Sequence, residues 1–145
     1  MTNDPYDLER FTAAQATTYD TALAELKSGR KRSHWMWFVF PQMRGLGHSP
    51  TAQFYGISGL EEARAYLAHP LLGRRLEEAT RAVLAIAGRT LHEIFGTPDD
   101  MKFDSSMTLF DLASDTPDNV YREALTQFCG GKRDQATLAL LDKDI

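Results

Sequence analysis

The chain has 145 residues, of which 43% are apolar and 25% charged. That length and balance suit one folded domain with a sizeable core and exclude a disordered chain. The formal charge of −4 at pH 7 argues against a general nucleic-acid binder, whose domain is usually basic, but leaves room for a local anion site.

Taken in chain order, Asp4-Pro5 is the first of several pairs that join a preferred N-cap residue to a proline; Ser49-Pro50, Thr97-Pro98 and Thr116-Pro117 are the others. Tyr19, Leu23 and Leu26 recur at helical spacing until Gly29 stops the run. Lys27, Arg30, Lys31 and Arg32 then crowd cations into one turn. Ser33 to Phe40 follows, with both tryptophans. As a helix it would put His34 with Phe38, and Trp37 with Phe40, on shared faces, and Pro41 would close it. No unbroken apolar stretch is longer than the six residues from Trp35 to Phe40, far below the roughly 20 residues that span a bilayer.

Gly45-Leu46-Gly47 reads as a turn. Ser58-Gly59-Leu60-Glu61 and Thr90-Leu91-His92-Glu93 fit capping boxes, and His69-Pro70 marks a junction between helices. Leu72, Leu76, Ala79, Val83 and Ile86 give the longest amphipathic helix, with Arg74, Arg75, Glu77, Glu78 and Arg81 on its outer face. Phe103, Met107 and Phe110, then Tyr121, Leu125 and Phe128, repeat the spacing up to Gly130-Gly131. No alternating run of polarity supports a sheet. The expected fold is all-α, a single-domain orthogonal bundle of about seven or eight short helices over residues 1–145.

Two segments carry the chemistry that is legible. In the aromatic segment 33–42, Trp37 is a candidate stacking wall and His34 a proton-transfer group, since histidine titrates near neutrality; a plain buried helix explains the same residues. Gln42, His48 and Ser49 add polar ends where a helix begins, and free N–H groups there favour anions; a simple N-cap at Ser49 and a surface turn at His48 are the bland alternatives. In the helix over 98–113, Lys102, Ser105 and Ser106 share a face. Lys102 would serve as base for a serine only if burial depressed its pKa; close helix packing explains the serines equally. Asp99 and Asp100 suit the helix dipole.

The histidines (His34, His48, His69, His92) are scattered, and no metal or cofactor motif is present, so no metal site and no cofactor are expected. Cys129, the one cysteine, reads as a small buried hydrophobe and rules out a disulfide within the chain. Met1-Thr2-Asn3-Asp4-Pro5 has no basic-then-apolar signal pattern, and a reducing cytoplasm is the expected compartment.

The stretches SHWMWFVFPQMRGLGHSPTAQFYGI, HPLLGRRL, FGTPDDMKFDSSMTLF and FCGGKRDQATLALL, in that order, resemble a small bacterial family of unknown function whose members often carry a calpastatin-like label. The likeness runs from Leu8 to Leu141 and implies a compact, mainly α-helical domain. It implies no activity, substrate or cofactor. The label has no physical basis here, because calpastatin-type inhibitor chains are disordered and this one is patterned to fold.

Two functions are expected on these grounds. The first is a site for a polar or anionic small molecule, nucleotide-derived in one version, between segment 33–42 and the helix over 98–113. Its lining would be Lys31, His34, Trp37, Gln42, His48, Ser49, Tyr55, Lys102, Ser105 and Ser106, with His34, His48 and Lys102 as catalytic candidates. The alternative is a protein-interaction module without catalytic activity. No membrane contact is expected, and a nucleic-acid role through Lys27 to Arg32 would need a steep salt dependence.

Overall fold

Apolar side chains at helical spacing bury one face of each segment, and polar caps set where each begins. In the computed structural model, which describes residues 4–143, this yields α1 (Glu9–Gln15), α2 (Tyr19–Lys27), α3 (Met36–Val39), α4 (Pro50–Tyr55), α5 (Leu60–Ala68), α6 (Leu72–Leu84), α7 (Leu91–Phe95), α8 (Asp99–Ala113), α9 (Val120–Cys129) and α10 (Gln135–Lys143). No strand occurs among the described residues; one parallel backbone pairing joins Met43 to Ile57. The ten helices among the described residues exceed the seven or eight expected, because single turns such as α3 and α7 are too short to show a period.

Some caps fall where the sequence places them. The Ser49 hydroxyl accepts the Ala52 N–H, and Thr90 and Glu93 form a reciprocal box. His69 ends α5 and its Nδ1 accepts the N–H groups of Leu71 and Leu72 at the start of α6. Others move. Asp4 caps α1 from a distance, accepting from Leu8 N and Glu9 N. Asn119, not Thr116, caps α9. Ser58 bonds to Glu62 rather than Glu61, since Glu62 faces inward to meet Arg10. Thr97 makes no cap; its hydroxyl meets His92 and Asp100, and Pro98 directly precedes α8.

The helix expected over Ser33 to Phe40 shrinks to α3. Ser33 and Trp35 bond instead to the carboxylate of Glu25, which holds the backbone before Met36 out of the helix.

α8 is the centre of the fold. Its residues from Ser105 to Asp111 are all buried, and it packs against α5, α7, α9 and α10. α6 covers a second layer with α2, α5 and α9. Aromatic rings thread the core: Phe40, Phe95 and Phe103 lie with centroids 5.0–6.0 Å apart, and Tyr66 joins Phe11 to Phe110. Each such ring removed from water contributes about 2–3 kcal/mol.

Charges that enter this core are paired. Arg10 meets Glu62 at 2.6 Å, both almost fully buried, and also donates to the carbonyls of Tyr6, Asp7, Phe54 and Gly56. Asp111, its side chain 1% exposed, accepts from Arg122, Arg133 and Asn119. No helix among the described residues is long and apolar enough to cross a membrane.

Candidate functional site

The site grows from Glu25 on the last turn of α2. Its carboxylate accepts the N–H groups of Arg32 and Ser33, the Ser33 hydroxyl and the Trp35 indole N–H, at 2.5–3.0 Å. Burial pushes the Glu25 carboxyl up; the Ser33, Arg32 and Trp35 hydrogen bonds outweigh that and leave it at about 2. Glu25 therefore stays ionised and fixes the turn that bears Arg30, Lys31 and Arg32. The Lys31 N–H donates to the Ile94 carbonyl at 2.7 Å, which ties the same turn to α7.

Lys31 is the hinge of the arrangement. Its side chain is 8% exposed and its ammonium lies 2.8 Å from Asp99 Oδ2 and 5.2 Å from the Trp35 ring centroid. The other oxygen of Asp99 takes Lys102 Nζ at 3.0 Å, and Lys102 lies over the Trp37 ring at 4.0 Å. One carboxylate thus serves two ammonium groups and leaves a net positive charge. Burial raises the Asp99 carboxyl, but Lys31 and Lys102 more than offset it and hold it below the usual range.

Outside Lys31 lies a recess of about 520 Å3 between α7 and the turn after α2. Arg30, Lys31, Arg89 and His92 supply its cationic side chains. Glu93 is the carboxylate in its wall, and one of its oxygens is engaged by Thr90 N in the α7 cap. A larger groove of about 910 Å3 runs between α6 and the loop before α9, but there Arg64, Arg74 and Arg81 are outnumbered by Glu77, Asp115, Asp118 and Glu123. Of these two, the smaller recess is the one with an excess of positive charge.

A profile of the DUF1810 family, described as a protein of unknown function, matches residues 5–141. The chain belongs to this family. Its structure is similar to the crystal structure of the conserved hypothetical protein Rv1873 from Mycobacterium tuberculosis, with 56% sequence identity, a TM-score of 0.93, and coverage of 96% of this chain and 99% of that one. No curated protein matches the chain. The DUF1810 fold is thus a compact all-helical domain, and its function is unknown.

Of the residues singled out in the sequence, Lys31, Trp37 and Lys102 come together around Asp99. The rest disperse. Tyr55 packs with Phe11, Phe38 and Phe54. Gln42 is buried and its carbonyl pairs with Ile57 N. Ser49 is an N-cap. His34 and His48 are exposed, and neither imidazole makes a hydrogen bond among the described residues. Lys102 is engaged by Asp99, and Ser105 lies 3.0 Å from Asp134 Oδ2, so no lysine–serine dyad forms. Ser106 is fully buried, and its hydroxyl has no hydrogen-bond partner among the described residues.

Glu25, Arg89 and the bridging role of Asp99 were not anticipated. A glutamate eight residues before Ser33 gives no local signal, and Arg89 reaches Gly29 only through the packing of α2 on α6. Cys129 is half-buried; burial, with Asp104 beside it, pushes its thiol up to about 12, which suits an unreactive side chain.

Proposed function

We propose that this DUF1810 protein binds a small anion, a phosphate or a carboxylate, in the recess formed by Arg30, Lys31, Arg89 and His92. One observation carries the reading. Lys31 keeps a nearly buried ammonium whose one carboxylate, Asp99, is shared with Lys102. Burying an ammonium is costly unless a counter-charge compensates it, and half a carboxylate compensates it only in part. An incoming anion would supply the balance, and arginines on the rim offer the forked donors that phosphate and carboxylate prefer. Lys102 stays on the other oxygen of Asp99 and over the Trp37 ring, outside the lining of the recess.

Titration with inorganic phosphate, followed by calorimetry and by melting temperature, tests this. At about 100 times Kd a ligand adds about 2.7 kcal/mol to stability. Lys31→Met, checked for folding, should abolish the shift; an unshifted wild-type protein would refute the reading.

A second reading, a protein-interaction module, is supported by Phe54, which is 55% exposed and stacks edge-on against Tyr55. A partner whose capture is lost in Phe54→Ser but kept in Lys31→Met would favour it.

A further inference from the structure

The anion recess has a neighbour. A second hollow of about 540 Å3 lies between the end of α2 and the end of α6, and Arg89 lines both. The two differ in character. Ala82, Ala85 and Ile86 contribute apolar surface to the second hollow, and Lys27 and Arg81 line it alongside them. Glu78 also lines it, with one oxygen accepting the Tyr19 hydroxyl at 2.6 Å. Its carboxylate accepts hydrogen bonds from amino or hydroxyl groups. Arg89, which borders both hollows, lies over the buried Gly29: a Cβ there would sit 3.6 Å from Arg89 Nε. The pair therefore offers cations in both hollows, an apolar surface with an acceptor in the second alone, and an arginine that borders both.

We infer that the ligand of this site is a phosphate ester of the nucleotide class, its phosphate beside Arg30, Lys31 and Arg89 and its uncharged, donor-bearing body against Ala82, Ala85 and Ile86. The inference rests on the anion reading of the first recess. The chemistry matches group by group. The arginines and Lys31 take the phosphate oxygens, the flat apolar surface takes a ring face, and Glu78 takes a base amino group or a ribose hydroxyl. A free phosphate fills half of this arrangement, and an uncharged nucleoside fills the other half.

Calorimetry with inorganic phosphate, adenosine and AMP as probes tests it at fixed ionic strength. AMP should bind at least tenfold more tightly than either phosphate or adenosine. Ala85→Trp, which fills the second hollow from an exposed position, should bring AMP down to the level of phosphate, with the variant's melting temperature reporting that it folds. If phosphate binds and AMP binds no better, or if the AMP gain survives Ala85→Trp, this inference falls while the anion site stands. If phosphate and AMP both fail to bind, the anion reading falls and takes this one with it. Affinity that climbs with the length of an oligonucleotide would mark a track for a polyanion and overturn the small-ligand class.

Discussion

Glu25→Gln isolates the charge that organises the site. Glutamine keeps the shape of the side chain but cannot carry the negative charge that accepts from Arg32, Ser33 and Trp35. The Glu25 carboxyl falls from 4.5 to about 2 in the folded protein, and at 1.36 kcal/mol per pKa unit this corresponds to roughly 3 kcal/mol. Solvent screening of a partly exposed carboxylate reduces the usable part to about 2 kcal/mol, or roughly 6–10 °C in Tm for a domain of this size. The pH dependence has a definite sign. Because the folded pKa is depressed, the stabilisation is complete above the unfolded value of 4.5 and is lost as pH falls through about 2. Urea denaturation of both proteins from pH 7 to pH 2, read by far-ultraviolet circular dichroism, should show a gap that is constant down to about pH 5 and closes below it. A gap under about 0.5 kcal/mol at neutral pH, within the range of ordinary surface changes, or one that does not change with pH, would refute the argument.

Other parts of the structure give equally direct outcomes. Asp99→Asn leaves Lys31 and Lys102 without their shared carboxylate; phosphate should then bind roughly fivefold more tightly, from about 1 kcal/mol less repulsion, while stability falls by about 2 kcal/mol. Calorimetry and denaturation read the two effects separately, and phosphate binding unchanged or weakened would contradict the placement of the site. Arg10→Met strands the buried Glu62 and should cost about 3–5 kcal/mol in urea denaturation; a loss under about 1 kcal/mol would mean the pair is not buried in solution. Cys129, with its thiol raised from 9.0 to about 12, should react with a disulfide reagent at pH 8 at least about thirtyfold more slowly in the native protein than in urea, its lower thiolate fraction being partly offset by greater nucleophilicity. Equal rates would show the thiol to be open.

What the sequence made legible was local. Leu72, Leu76, Ala79 and Val83 announce α6 because one residue per turn suffices to define its buried face, and all of them are fully buried. Ser49 and the Thr90–Glu93 box are legible because a cap is a contact between near neighbours. The start of α3 is hidden in the sequence because the group that holds Ser33 and Trp35, Glu25, lies on another helix. The same physics divides the site. The basic turn after Lys27 and the aromatic residues that follow it are visible in the chain, and Lys31, Trp37 and Lys102 do converge. Asp99, which joins them, looked like a dipole partner because its position on α8 explains a carboxylate without any lysine. Arg89 gives no sequence signal because only the packing of α2 on α6 brings it to Gly29. His34 and His48 drew notice for their chemistry, yet their surroundings leave them in water.

The carboxylate of Asp111 has a bearing on how the molecule is made. Ribosomes deliver Asp111 before Asn119, Arg122 and Arg133, the groups that neutralise it in the core. Until Arg133 has emerged, closing α8 into its final place would enclose an under-compensated charge at a cost of several kcal/mol. The final packing of α8 therefore depends on a residue near the far end of the described chain, and a fragment that stops before Arg133 lacks one of the two arginines that neutralise its core carboxylate.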